Sequence, residues 1–198
     1  VTSLSVGHTT PVSIASGRTL SGAITVSAGS IRLDEAGELA STIAMSGGTL
    51  DADNSLTLSG TLTQSGNITI DVADNKTLTY SGAALSLDNN TLTLSGEGRL
   101  SNSNALVLNN ASSKLLLSNS ITVDSVSTSL ASLGLDVDAN STVTSLTVGH
   151  TTPVSIASSR TLSGAITVSA GSIKLDEAGE LASTVSMSGG TLDVDNSS

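Results

Sequence analysis

The sequence predicts an all-β fold, a parallel β-solenoid of about ten coils with about 20 residues in each coil. Three observations lead to this prediction: a long internal repeat, a shorter degenerate period, and short runs in which apolar and polar residues alternate. Repeats of this size bury their apolar side chains only by stacking on their neighbours. Residues 1–198 are therefore expected to form a single continuous solenoid.

The long repeat is a 142-residue unit, because residues 1–56 recur as residues 143–198. Seven of the 56 aligned positions differ, which leaves 49 identical. Near-identical copies of such length are typical of tandem arrays. We expect this segment to belong to a longer chain that contains further copies of the same unit.

The shorter period appears as seven segments of roughly 20 residues each inside the long unit. Each segment contains two or three runs with an apolar residue at every second position, which is the pattern of short β-strands. Stacking would place successive coils about 4.8 Å apart. The segments span residues 3–20, 21–39, 40–58, 59–80, 81–100, 101–119 and 120–144. The side chains predicted to point inward are Ile24, Val26, Ile31, Leu33, Ile43, Met45, Leu50, Leu56, Leu58, Leu62, Ile68, Ile70, Leu78 and Tyr80.

Glycine, asparagine and aspartate pairs separate these runs and indicate sharp corners, because these residues tolerate a positive φ or bond to their own backbone. No stretch keeps a helical period over three turns. The best helix candidate is residues 33–40, and Gly37 interrupts it. The predicted corners include Gly47-Gly48, Asp53-Asn54, Asp74-Asn75 and Asn89-Asn90.

The composition excludes several functional classes. The chain has no cysteine, one aromatic residue (Tyr80) and a formal net charge of −10. Without cysteine there is no disulfide or thiolate metal site. The few cations and the single ring argue against nucleic acid as a partner, and no apolar run is long enough for a membrane span.

An acidic cluster raises the alternative of a polysaccharide-active β-helix enzyme, since paired carboxylates can hydrolyse glycosidic bonds. Such enzymes combine acids with cations and aromatic sugar platforms in one groove, and this chain has no such platforms. We therefore expect a solvated acidic corner, and we predict no catalytic residue. The cluster consists of Asp34, Glu35 and Glu38, and it recurs as Asp176, Glu177 and Glu180.

The two histidines, His8 and His150, occupy the same position of the two copies and have no second histidine nearby in sequence. Each follows Val-Gly and precedes Thr-Thr-Pro, which indicates a corner. We expect both to be surface turn residues.

Closely spaced aspartates resemble the beginning of calcium-binding loops. The glycine and the terminal glutamate of an EF-hand are missing, so that motif is not met. No cofactor is expected, and calcium is kept as an alternative because stacking could align Asp53, Asp74 and Asp88 along one edge. The candidate calcium ligands are Asp51, Asp53, Asp136, Asp138, Asp193 and Asp195.

Two stretches carry a resemblance to a known group of proteins: NKTLTYSGAALSLDNNTLTLSGEGRL (75–100) and GGTLDADNSLTLSGTLTQSGNITI (47–70). They resemble the passenger repeats of autotransporters and filamentous-haemagglutinin-like exoproteins. The resemblance implies secretion by a bacterium, a rod-like solenoid and a role in adhesion or as a stalk. It transfers no catalytic residue to this chain.

The expected function is that of a structural or adhesive segment of a large extracellular bacterial protein, without catalysis. The expected partners are further copies of its own repeat, including end-to-end self-association, and host or cell-surface glycans or proteins. The alternatives are the polysaccharide-active enzyme and a module that binds calcium or carbohydrate at the cell surface. Turnover of anionic polysaccharides would favour the first alternative, and a calcium-dependent melting temperature would favour the second.

Overall fold

A computed structural model describes residues 3–8, 11–14, 18, 22–33 and 38–195. These residues form a parallel β-solenoid of about nine turns that follow one another about every 20 residues, with 24 strands and no helix. The predicted fold class is confirmed, with about nine turns where about ten coils were expected. Within the described ranges, no helix has the length and apolar character needed to span a bilayer.

The chain visits three faces of the solenoid in a constant order, and we call them face 1, face 2 and face 3. Face 1 contains β1 (Ser3–Val6), β3 (Ala23–Val26), β6 (Ile43–Met45), β9 (Leu62–Gln64), β12 (Leu85–Ser86) and β15 (Leu106–Leu108). Face 2 contains β2 (Val12–Ser13), β4 (Ser30–Leu33), β7 (Thr49–Ala52), β10 (Ile68–Val72), β13 (Thr91–Ser95), β16 (Lys114–Leu117), β18 (Gly134–Val137), β20 (Pro153–Ile156), β22 (Ser172–Leu175) and β24 (Thr191–Val194). Face 3 contains β5 (Glu38–Leu39), β8 (Leu56–Leu58), β11 (Thr77–Tyr80) and β14 (Arg99–Asn102).

Four longer strands run from face 3 onto face 1 without a break. The first of them pairs with β14 through its first residues and with β15 through its last ones. The corner between the two faces therefore becomes part of one extended strand in the later turns. These strands are β17 (Thr122–Thr128), β19 (Ser141–Val148), β21 (Thr161–Val168) and β23 (Glu180–Met187).

Every strand pair in the described part of the chain is parallel, and each joins a strand to the one above it in the next turn. The sequence spacing between partners varies along face 2, where Ile31 pairs with Leu50 and Ile68 pairs with the more distant Leu92. The corners absorb this variation, so the strands stay aligned while corner lengths differ. Parallel stacking of this kind requires the crossover that the rest of each turn provides.

The inward side chains form one apolar core along the solenoid axis. Every side chain predicted to point inward, from Ile24 to Tyr80, is buried. Alternation explains this result, because successive side chains of a strand point to opposite sides and only one side meets the core. Each buried leucine or isoleucine contributes roughly 1.5–3 kcal/mol relative to exposure.

The predicted corners lie outside the strands, where the chain bends from face to face. Gly48 has a φ of 82° and Asn75 has a φ of 58°, both in the left-handed region that glycine and asparagine tolerate best. A Cβ on Gly48 would also lie 2.5 Å from the carbonyl oxygen of Gly29 in the turn below. The corner thus needs glycine for its conformation and for the close approach of two turns.

The helix candidate, residues 33–40, contributes to two strands instead. Leu33 ends β4 and Glu38–Leu39 forms β5, while residues 34–37 lie outside the described part of the chain. In the second copy, the equivalent residues 176–179 form a turn between β22 and β23.

The long repeat corresponds to a whole number of turns. Val12 and Val154 are equivalent positions of the two copies, and both lie on face 2. Seven successive strand pairings lead from β2 to β20 along this face. One repeat unit therefore advances the solenoid by seven turns, about 34 Å at about 4.8 Å per turn, and returns the chain to the same face.

Candidate functional site

The six candidate calcium ligands lie on the solvent side of face 2 and at the corner that follows it. Asp51, Asp136 and Asp193 belong to β7, β18 and β24, and the second aspartate of each pair comes two positions later. This spacing places both carboxylates of a pair on the outer side of the solenoid. The second aspartates are Asp53, Asp138 and Asp195.

Each of these aspartate pairs faces a basic side chain from the preceding turn. Arg32 is in register with Asp51 and forms an ion pair with Asp53. Lys114 Nζ lies 2.5 Å from Asp136 Oδ2. The protein therefore supplies a counter-charge at the places where neighbouring carboxylates would repel one another.

The third pair repeats this arrangement through Lys174, which is in register with Asp193. Lys174 Nζ lies 3.0 Å from Asp176 Oδ1 and 3.9 Å from Asp195 Oδ2. The hydrogen bond to Asp176 and the negative charge of that carboxylate raise the pKa of Lys174 above its ordinary value of 10.5. A group of three or more histidine, cysteine, aspartate or glutamate side chains suited to a metal does not occur in the described part of the chain. Calcium binding at the six aspartates stays a prediction.

The expected alignment of Asp53, Asp74 and Asp88 along one edge is wrong. Asp53 and Asp74 follow β7 and β10 at the corner between face 2 and face 3, but Asp88 lies between β12 and β13, at the corner between face 1 and face 2. There Asn109, one turn later, donates from Nδ2 to Asp88 Oδ1 at 2.7 Å and accepts from the Asp88 N–H at 2.8 Å. An asparagine interleaves with this aspartate, and no carboxylate row forms with the other two.

The acidic cluster forms an exposed corner in the second copy, as expected. Asp176 is paired with Lys174, and Glu180 Oε2 accepts a hydrogen bond from Thr161 Oγ1 at 3.3 Å. Glu177 is exposed. In the first copy, Asp34, Glu35 and the side chain of Glu38 lie outside the described residues.

Both histidines are exposed corner residues, as predicted. His150 has a φ of 57°, which places it in the left-handed region at a turn. His8 lies at the equivalent bend of the first copy.

Face 1 contains an interruption that sequence analysis missed, and we call it the seam. The strand β9 is the last strand of a four-stranded sheet, while β12 pairs with β15 in another sheet. The N–H of Leu62 in β9 donates to Tyr80 Oη at 3.2 Å. The same hydroxyl donates to the carbonyl of Ala83 at 2.7 Å. The single aromatic residue thus replaces strand pairing with a side-chain bridge.

A cavity of about 280 Å³ opens at the seam. Its lining offers hydroxyl groups and one carboxylate, that of Asp88, which is already bonded to Asn109. Histidine, lysine and arginine are all missing from this lining, so its hydroxyls have no cationic or imidazole partner for acid–base chemistry. The lining residues are Thr61, Leu62, Thr63, Gln64, Ala83, Ala84, Leu85, Ser86 and Asp88.

Gln64 is the polar side chain beside this cavity that points into the core. It is 5% exposed, its Nε2 lies 3.5 Å from the carbonyl of Leu87, and its Oε1 has no hydrogen-bond partner. The Oε1 atom is also shielded from solvent, so it is not presented to a molecule in the cavity. The signal for this site was present in the sequence, because Gln64 occupies an inward phase of the run TLTQS.

Comparison with protein-family models, with curated proteins and with solved structures finds no match for this chain.

Proposed function

We propose that this chain is a structural segment of a large extracellular bacterial protein, a stiff β-solenoid stalk or filament element without catalysis. The observation that carries the proposal is the whole-turn repeat: one 142-residue unit spans seven turns and returns the chain to the same face. A unit that advances by whole turns can be concatenated so that strand pairing and the core continue across the junction between copies. The resemblance to autotransporter passenger and filamentous-haemagglutinin-like repeats adds the secreted, adhesive setting.

Three kinds of contact between turns support the stiffness. Parallel strand pairing joins the described neighbouring turns on faces 2 and 3, and on face 1 everywhere except at the seam, and the buried side chains continue as one core through the described turns. Ion pairs such as Lys114–Asp136 link successive turns on the outer surface. Because each turn contacts only its neighbours, lengthening the array adds the same contacts at every step.

Further copies of the repeat are the proposed partners in the rod, because the repeat places apolar side chains where a following turn covers them. Leu192 is 43% exposed, and Met187 and Val194 are exposed beside it. Their counterparts in the first copy, Met45, Leu50 and Ala52, are buried beneath the following turn. A following copy, or the end of another molecule, would cover this apolar edge in the same way. Host or cell-surface glycans or proteins complete the proposed set of partners.

The proposal is tested by adding one, two and three copies of residues 57–198 to the C terminus of the chain. Small-angle X-ray scattering should show a rod whose length grows by about 34 Å with each copy at constant cross-section. A particle that grows in all dimensions would contradict it. An assay with anionic polysaccharides should show no turnover, and cleavage would favour the enzyme alternative.

A further inference from the structure

A pair of exposed leucines lies at the corner between face 1 and face 2, after β17. Leu130 is 53% exposed and Leu133 is 56% exposed. The same corner in the other turns that the structure describes carries no exposed leucine, since Leu87 between β12 and β13 is fully buried, so the bend itself does not require an exposed one. The equivalent corners are residues 27–29, 46–48, 65–67, 87–90, 109–113, 149–152, 169–171 and 188–190, which contain glycine, serine, asparagine, aspartate, alanine, threonine and histidine besides the buried Leu87.

Hydrogen bonds to the turns on either side hold this corner in place. Thr152 Oγ1 donates to the carbonyl of Leu130 at 3.1 Å. The N–H of Leu133 donates to the carbonyl of Ser113 at 3.0 Å, and the N–H of Ser129 donates to that of Leu108 at 2.9 Å. The leucines are therefore presented outward by an anchored loop, and contact with a partner would require little additional ordering of the backbone.

Face 1, which borders the leucines, is the uncharged side of the rod. Its strand residues that the structure describes include no acidic or basic side chain, while Lys114 and Asp136 form an ion pair on face 2 and Arg99 of face 3 forms one with Asp124. In a chain with a net charge of −10, an uncharged side is the one on which two rods approach with least repulsion. An isolated hydrophobic contact on a charged face would lack this advantage.

From these observations we infer that the corner formed by Leu130 and Leu133 is a lateral docking site for a second copy of the same rod. This inference rests on the proposed function, because one corner exposes only roughly 200 Å² of apolar surface, well below the roughly 1,000 Å² of a stable interface. In a tandem array the corner returns every seven turns on the same edge. Two arrays related by a two-fold axis then match at every repeat, and the weak contacts add through multivalency.

The experiment compares the 198-residue chain with the chain extended by three copies of residues 57–198, using sedimentation velocity at equal unit concentration. The 198-residue chain reports the association that the two ends alone produce, and the extended chain should contain at least twice as many chains per particle. Leu130→Ser with Leu133→Ser in every copy should return the number of chains per particle to that of the 198-residue chain. The matched control is Ala170→Ser in every copy, a polar change at the same corner two turns later, and it should leave association unchanged.

Both chains have the same two ends, so end-to-end stacking cannot produce a difference that grows with repeat number. Association above that of the 198-residue chain that survives the double leucine substitution would overturn the inference, as would an extended chain with no more chains per particle than the 198-residue chain. Small-angle scattering of the double-leucine variant shows whether the docking site alone is refuted or the proposed rod is refuted as well. A rod that lengthens with each copy but does not associate refutes the docking site alone.

Discussion

Leu50 and Leu192 occupy the same position of the repeat, so they test directly whether stacking of turns stabilises this protein. The two residues share the local sequence TLD and lie in β7 and β24 of face 2. Leu50 is 0% exposed and Leu192 is 43% exposed. The difference arises because a further turn covers Leu50, so changing each leucine to alanine should have unequal effects on the free energy of unfolding.

The magnitude follows from the neighbours of each side chain. Leu50 is in register with Ile31 in the turn before and with Ile70 in the turn after. Its removal leaves an enclosed cavity, and we expect Leu50→Ala to cost about 3–5 kcal/mol. Leu192 is in register with Ile173 in the turn before, and water can occupy the vacated space on the other side. We expect Leu192→Ala to cost about 1 kcal/mol, the transfer energy of its buried part alone.

Equilibrium unfolding in urea, followed by far-UV circular dichroism, measures both costs. Comparable m-values are needed so that midpoints report stability rather than separate unfolding of the last turn. A control chain extended by one copy of residues 57–198 covers Leu192, and there Leu192→Ala should become as costly as Leu50→Ala. Equal costs in the unextended chain would refute the view that each turn is stabilised by the next.

Three further changes test the seam and the surface ion pairs. Tyr80→Phe should lower stability by about 1–3 kcal/mol in urea unfolding, because the buried N–H of Leu62 loses its acceptor; an unchanged midpoint would contradict the bridge. Gln64→Met should leave the melting temperature equal or raise it, since it removes a buried oxygen without a partner, and a lower melting temperature would count against this reading. The interactions with Asp176 that raise the pKa of Lys174 stabilise the fold below about pH 10.5. This contribution is lost as the pH rises through the folded-state pKa of Lys174. The Lys174→Met variant should therefore lose less stability than the unaltered chain when the pH is raised through this range, and parallel stability profiles would refute this.

Much of the fold could be predicted from the sequence because its pattern has a single cause. Each face packs against one shared core, so inward and outward positions alternate along most strands, as with Ile24 and Val26 around the exposed Thr25. The apolar positions therefore report burial directly. The long repeat could also be recognised without structural information.

The parts that escaped prediction depend on register between turns, which alternation does not encode. Asp88 and Asp53 have similar local sequences, but corner lengths decide which edge each occupies. The ion pair of Arg32 and Asp53 joins residues 21 positions apart, a distance that only the stacking defines. The seam coincides with an enlarged step between Leu62 and Leu85 on face 1, but the step alone does not predict it, because Ile68 and Leu92 on face 2 are paired across a longer one.

The surface charges contribute to the register of the solenoid more than to its stability. Exposed ion pairs typically contribute about 0–1 kcal/mol each to the free energy of unfolding, whereas the buried side chains of the apolar core contribute far more. Yet Arg32 becomes Lys174 in the second copy, and the aspartate opposite each of them, Asp51 or Asp193, is unchanged. A cation at this position offsets the electrostatic repulsion between stacked carboxylates such as those of Asp51 and Asp71, which are in register. Shifting one strand by a single residue would bring its outward charges to the core side, so these rows oppose slippage while the aliphatic core holds the turns together.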